Sequence, residues 1–174
     1  GGAVAKLESY VANLTGKDKC IFLPSGTMAN QLALRILSEE KPKILVQKNS
    51  HIFCDEADAA QVIHNKRLVP IQHEDFGLRE LKSTITKLAT NEYFKTQIGA
   101  ISIEVPLRRE NETLINFEEL GKISRFAKAE GIKLHLDGAR LLIASIYSGT
   151  SVREYAALFD TIYISTYKYL GAGA

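Results

Sequence analysis

Apolar positions recur along this chain with two different periods. Val4, Leu7, Val11 and Leu14 have helical spacing and Gly16 follows them, which predicts a helix over Ala3 to Leu14. Cys20 to Leu23 is a short continuous apolar run and reads as a strand, broken by Pro24-Ser25-Gly26-Thr27, which opens a helix over Met28 to Leu37. Ile44 to Val46 is the next strand. A polar loop, Gln47 to Ser50, leads into a helix over Phe53 to Gln61. Arg67 to Ile71 reads as a strand and Gly77 to Ala89 as a helix with Leu78, Leu81, Ile85 and Leu88 on one face. Ala100 to Val105 is a strand, and Asn116 or Phe117 to Glu130 a helix stopped by Gly131. Ile132, Leu134 and Leu136 alternate as a strand, and Ile162 and Ile164 do so within Asp160 to Thr166.

Strands separated by helices imply parallel pairing through right-handed crossovers. The expected fold class is therefore α/β, a three-layer, mostly parallel sheet with helices on both faces. No internal repeat and no interdomain linker interrupts residues 1–174, which read as one domain. The chain opens on Gly1-Gly2 and stops at Gly171-Ala172-Gly173-Ala174, so it is expected to be a piece cut from a longer protein.

Composition narrows the function. With 174 residues, 45% of them apolar, the chain suits one globular domain. Its 22 Lys+Arg against 20 Asp+Glu leave +2, no electrostatic footprint for nucleic acid. No apolar run reaches the roughly 20 residues of a membrane span. Cys20 and Cys54 are too few for a disulfide framework, which points to a reducing compartment such as the cytoplasm.

In parallel sheets ligands bind at the carboxyl ends of the strands. Five positions pass that filter. Ser25-Gly26-Thr27 stands between a strand and a helix start, where free N–H groups attract a phosphate; plain helix capping would use the same residues. His51 follows the second strand and could stack on a flat ring or shuttle a proton, or be a surface histidine. His64 and His73 are placed less well, and His135, inside a strand, suits packing or a hydrogen bond. Asp137 ends its strand in Leu134-His135-Leu136-Asp137-Gly138-Ala139-Arg140, so Asp137 and Arg140 could hold a charged ligand from two sides or form a surface ion pair. Lys168 follows the last strand, as a solvated amine or, with its pKa lowered, a Schiff-base nucleophile. Glu104 ends the fourth strand, and Arg108-Arg109 beyond it could bind a substrate carboxylate. An anion cradle, a ring-stacking histidine, an aspartate and a lysine on one sheet edge are what pyridoxal phosphate requires.

Pro24-Ser25-Gly26-Thr27-Met28-Ala29-Asn30-Gln31, Asn49-Ser50-His51-Ile52 and Leu134-His135-Leu136-Asp137-Gly138-Ala139-Arg140-Leu141 resemble the threonine aldolase and β-eliminating lyase family. These are pyridoxal-phosphate enzymes of the aspartate aminotransferase-like fold. The resemblance implies that Ser25, Gly26 and Thr27 bind the cofactor phosphate and that His51 stacks on the ring and serves as a base. It implies that Asp137 pairs with the pyridine nitrogen, that Arg140 lies near the phenolic oxygen and the substrate carboxylate, and that Lys168 is the Schiff-base lysine. Two departures stand out. Glu-Asn-Thr-His, usual for threonine aldolases, is here Glu104-Val105-Pro106-Leu107, without the second histidine. Leu-Ser-Lys-Gly-Leu-Gly-Ala is here Thr166-Tyr167-Lys168-Tyr169-Leu170-Gly171-Ala172.

Family members are about twice as long, so residues 1–174 are expected to be the large cofactor-binding domain without its C-terminal small domain, from a homo-oligomeric parent. The expected function is a carbon–carbon lyase that cleaves β-hydroxy-α-amino acids to glycine and an aldehyde. The alternatives are β-elimination or another amino-acid reaction on the same cofactor, a non-catalytic relict of the fold, and a plain nucleotide binder. No metal site is expected.

Overall fold

The computed structural model describes residues 2–72 and 76–172. Helix α1 (Ala3–Thr15) ends at Gly16, in the left-handed region. Helix α2 (Gly26–Ser38) is capped by the Ser25 hydroxyl, which accepts from the Met28 N–H at 3.2 Å. Strand β1 (Lys43–Gln47) leads through two short helices, α3 (His51–Cys54) and α4 (Ala59–His64), into β2 (Arg67–Ile71). Helix α5 (Leu78–Asn91), β3 (Ile98–Glu104), α6 (Phe117–Ala129) and β4 (Lys133–Asp137) follow, then α7 (Leu141–Ser148), α8 (Val152–Ala157) and β5 (Thr161–Tyr163).

The five strands lie in the order β2-β1-β3-β4-β5, and every pairing is parallel. The order reverses between β1 and β3, so the chain leaves β1 toward one edge and β3 toward the other. The crevice at their carboxyl ends is the place such sheets offer to ligands.

Alternation along the strands builds two cores. Leu45, Ile101, Ile103, Leu134 and Leu136 point to one face and pack with Leu81, Leu120, Ile123 and Tyr155 of the helices there. Ile44, Val46 and Ala100 point to the other and pack with Leu34 of α2 and Ala60 of α4. The sheet is thus the middle of three layers, and the expected α/β class holds. Ser102, Glu104, His135 and Asp137 share the parity of the second face, so polar groups near the strand ends are aimed at α2.

Three expectations need correction. Cys20 to Leu23 is not a strand: it is irregular with Ile21 exposed, and among the described residues it has no ladder partner. It forms one wall of an open cleft of about 490 Å³ whose other wall includes β5. An apolar run becomes a strand only where a neighbour takes up its N–H and C=O groups. The helix expected over Phe53 to Gln61 is instead two pieces, because Ala57 and Asp58 have positive φ and break the ladder between them. The last strand stops at Tyr163 rather than reaching Thr166.

Helices α7 and α8 answer to no expectation. Leu141 to Ser148 is apolar almost all round, which hides a helical period. The start of α8 carried a readable signal, since Ser151 and Glu154 cap each other's backbone N–H groups as a capping box.

Gly99 is where α2 presses against the sheet. A Cβ at this position would lie 2.6 Å from Ser38 Cα and 2.7 Å from its carbonyl oxygen. Backbone cannot swing aside as a long side chain can. Gly99→Ala is therefore expected to destabilise the chain by about 1–3 kcal/mol, the usual range for overpacking, as measured by equilibrium urea unfolding.

Candidate active site

The site forms where β3 and β4 end together. Glu104 and Asp137, the last residues of the two strands, are partners in the parallel register. Two carboxylates on adjacent strand ends repel, and both are almost wholly out of water. Asp137 is 1% exposed. Its Oδ1 accepts from the Ala139 N–H at 3.2 Å and its Oδ2 from Asn30 Nδ2 at 3.1 Å. Burial raises its pKa above the ordinary aspartate value. The Ala139 N–H, the charges of His51 and Lys168 and the Asn30 amide pull the other way.

Glu104 is held by backbone. Its Oε2 accepts from the His51 N–H at 2.7 Å and its Oε1 from the Arg108 N–H at 3.2 Å. Burial, and then the charge of Asp137, push its pKa up to about 7. Gln47, at the end of β1, completes the strand-end row, its Oε1 accepting from the Glu104 N–H at 2.6 Å.

His51 opens α3 at the rim, its side chain one-third exposed. Its Nδ1 is 3.3 Å from Asp55 Oδ2 and its Nε2 3.7 Å from Glu56 Oε1. Asp55 is firmly ionised. The hydrogen bond from Arg109, with Arg108 beside it, pulls its pKa down to about 2. Arg108 and Arg109 are thereby engaged with Asp55, at 3.0 Å through Arg108 Nη2 and 3.1 Å through Arg109 Nε. That is a different use from the substrate clamp considered for this pair.

Helix α2 reaches into this arrangement with Asn30. Asn30 Nδ2 also donates to Glu56 Oε1 at 3.0 Å, while its Oδ1 faces His135 Nε2 at 3.0 Å. His135 is 1% exposed, and burial drives its pKa down to about 3, so the ring is neutral. Glu56 is buried as well and its pKa is raised by desolvation. Asn30 and Glu56 were not among the expected site residues. Asn30 had a readable signal: with Leu34 and Ser38 it forms the i, i+4 stripe of α2 that is buried, and it is the first polar member. Glu56 had none, because it lies in the turn between two short helices.

The remaining candidates sit around this core. Gly26 and Thr27 form the first turn of α2, one turn from Asn30, with Ser25 as cap. A side chain at Gly26 would overlap the Tyr163 hydroxyl, so only glycine lets β5 approach this helix start. Tyr163 is itself pushed up to about 12, chiefly by burial. Lys168 is partly exposed beyond β5, and its charge reaches Asp137. Arg140 is mostly buried at the start of α7, with Nε 3.5 Å from Glu112 Oε1. His64 ends α4, away from the strand ends, and His73 lies outside the described residues.

Comparison with known proteins gives this geometry a family. The chain belongs to the β-eliminating lyase family, whose sequence pattern it matches over residues 2–174. A low-specificity L-threonine aldolase of Candida albicans is 33% identical over 171 residues, covering 96% of this chain and 45% of that protein. A candidate L-allo-threonine aldolase from Listeria monocytogenes superposes with TM-score 0.86 at 32% identity, covering 98% of this chain and 46% of that one. A candidate aromatic amino acid β-eliminating lyase/threonine aldolase from Exiguobacterium gives 0.85 at 35%, covering 98% and 47%. The chain spans about half the length of the relatives it matches. Among the described residues no helix is long and apolar enough to cross a membrane, and no cluster of His, Cys, Asp and Glu is set to hold a metal ion.

Glu104 makes stability depend on pH. Folded, it keeps its proton up to about pH 7, whereas its ordinary value is 4.5. Its contribution is full below pH 4.5 and is lost as pH rises through 7. Glu56 and Asp137 act in the same direction. His135, lowered from 6.5 to about 3, acts oppositely. Comparison with Glu104→Gln cancels Glu56 and His135 and leaves Glu104 together with the part of the Asp137 titration coupled to it. In urea unfolding, the stability difference between wild type and variant should move in the variant's favour by up to about 3 kcal/mol from pH 4.5 to 7. A difference independent of pH would contradict the buried acid.

Proposed function

We propose that this chain is the large, cofactor-binding domain of a pyridoxal-phosphate-dependent lyase that cleaves β-hydroxy-α-amino acids to glycine and an aldehyde. The observation that carries the reading is Asp137. It is fully buried at the end of β4, beside the end of β3, and among the described residues no cationic side chain forms an ion pair with it. A buried carboxylate in that state fits a ligand bearing a protonated ring nitrogen. The chemistry of the other groups fits the same ligand: a helix start opened by glycine for a phosphate, and an amine whose charge reaches Asp137.

When bound, the cofactor supplies an electron sink for the carbanion left when the bond between the α- and β-carbons breaks. The residues provide the rest. The start of α2, with Ser25, Gly26 and Thr27, binds the phosphate. The Lys168 Nζ carries the cofactor covalently. Asp137 holds the proton on the pyridine nitrogen. His51 would stack on the cofactor ring and take the proton from the substrate hydroxyl at Nε2, with Asp55 beside Nδ1 fixing its ring plane. Arg140 binds the substrate carboxylate, which would draw it from Glu112. The rest of the protein completes the substrate site, and a second subunit borders it in a homo-oligomer.

One observation keeps β-elimination as a second reading. Leu107, where the threonine aldolase pattern has its second histidine, is wholly buried and carries no group that can take or give a proton. Glycine release by the full-length protein from L-threonine, L-allo-threonine and phenylserine separates the two. Release from any of them supports aldol cleavage, and release from none overturns it.

Two substitutions in the full-length protein test the roles. With pyridoxal phosphate, the wild type should develop a visible absorption band that Lys168→Ala abolishes; a surviving band would exclude Lys168 as the carrier. Asp137→Asn should still bind the cofactor but lose at least about a hundredfold in kcat, because a neutral amide cannot hold the ring nitrogen protonated. Near-normal turnover would contradict that role.

A further inference from the structure

Asn30 occupies a position that neither helix formation nor core packing requires. It is wholly buried on the face of α2 that meets the sheet, and both polar atoms of its side chain have partners there. One amide nitrogen serves two carboxylates, Asp137 Oδ2 at 3.1 Å and Glu56 Oε1 at 3.0 Å. A carboxamide turned by half a revolution would present its oxygen to both and repel them. What prevents the turn is His135. Its Nδ1 lies 2.9 Å from Thr161 Oγ1 and its Nε2 3.0 Å from Asn30 Oδ1. With the proton on Nε2, the imidazole donates to Asn30 and accepts from the Thr161 hydroxyl, which satisfies every partner in the chain. The order is then continuous: Thr161 to His135, His135 to Asn30, Asn30 to Asp137 and Glu56.

We propose that Asn30 is a positioning residue for the cofactor ring. Locked one way round by His135, it holds the Asp137 carboxylate in one orientation while the Ala139 N–H holds the other oxygen. The proposal rests on the reading that Asp137 meets a pyridine nitrogen. Asn30 touches neither cofactor nor substrate in this scheme and acts only through Asp137. It also ties two ligand-binding features to one rigid rod, since Gly26 and Asn30 lie one turn apart on α2.

The test uses full-length apoprotein and two ligands, pyridoxal phosphate and its 1-deaza analogue, in which carbon replaces the ring nitrogen. Equilibrium dissociation constants are measured for wild type and Asn30→Ala. Wild type should bind pyridoxal phosphate more tightly than the analogue. Asn30→Ala should weaken pyridoxal phosphate binding by about tenfold or more, the worth of a charge-assisted hydrogen bond, and leave the affinity for the analogue unchanged. Equal losses for both ligands would show a merely structural role, or action through Glu56 alone, and overturn the proposal. No loss for either would overturn it as well. If wild type does not distinguish the two ligands, the pairing of Asp137 with the ring nitrogen fails first, and the Asn30 proposal falls with it. Should Asn30→Ala not fold, nitrogen-15 NMR of His135 in the unaltered protein still decides. A proton on Nε2 supports the proposal. A proton on Nδ1 would reverse the carboxamide, take its N–H groups from the carboxylates and overturn it.

Discussion

A carboxylate taken out of water without a cation is the constraint around which this chain is arranged. Asp137 could have been solvated at modest sacrifice, since strand ends commonly face solvent. Instead it is enclosed by α2, by the turn into α7 and by a neighbouring strand that ends in a second acid. Desolvation of that kind has to be answered by directed dipoles or by an incoming positive charge. The protein supplies part of the answer with Ala139 and Asn30 and with the fields of His51 and Lys168. The raised pKa values of Glu56, Glu104 and Asp137 have one leading cause, burial, rather than three separate ones.

The strands explain why the acids meet. Parallel pairing with matched ends puts Glu104 beside Asp137, and period-two alternation sends both to the face that carries α2, α3 and α4, Asp137 meeting Asn30 of α2 and Glu104 the start of α3, while Ile103 and Leu136 go to the opposite core. The helix on the receiving side must then be apolar where it meets Ile44, Val46 and Ala100, and polar where it meets the acids. Leu34 and Asn30, one turn apart, meet those two demands. Chemistry and packing are divided along a single helix face.

Much of this was legible in the amino-acid pattern, for reasons that can be assigned to particular residues. The parallel α/β class follows from strand and helix periods alternating, and Asp137 and Glu104 stand out because they end apolar strands, His51 because it lies in the loop after one. The misses have physical causes too. Cys20 to Leu23 has the composition of a strand, but strand formation is decided by a neighbour and not by composition. The break at Ala57 and Asp58 depends on left-handed backbone at two non-glycine residues, which no periodicity announces. Asn30 lies within Pro24 to Gln31, yet its part depends on Asp137, on His135 and through it Thr161, all more than a hundred positions away, and on Glu56, which only the folded chain brings near. Arg108 and Arg109 were readable as a basic pair but not as the partners of Asp55.

Gly99 gives α2 a further significance. At its carboxyl end the helix rests backbone to backbone on β3, while at its amino end it carries the anion-attracting turn. Between these lie about 18 Å of stiff rod. A rod seated at both ends works as a spacer gauge: Gly99 lets Ser38 down onto the far end of β3 while Gly26 lets Tyr163 of β5 close on the other end. The smallest residue in the strand, remote from any reacting atom, is therefore what calibrates the crevice.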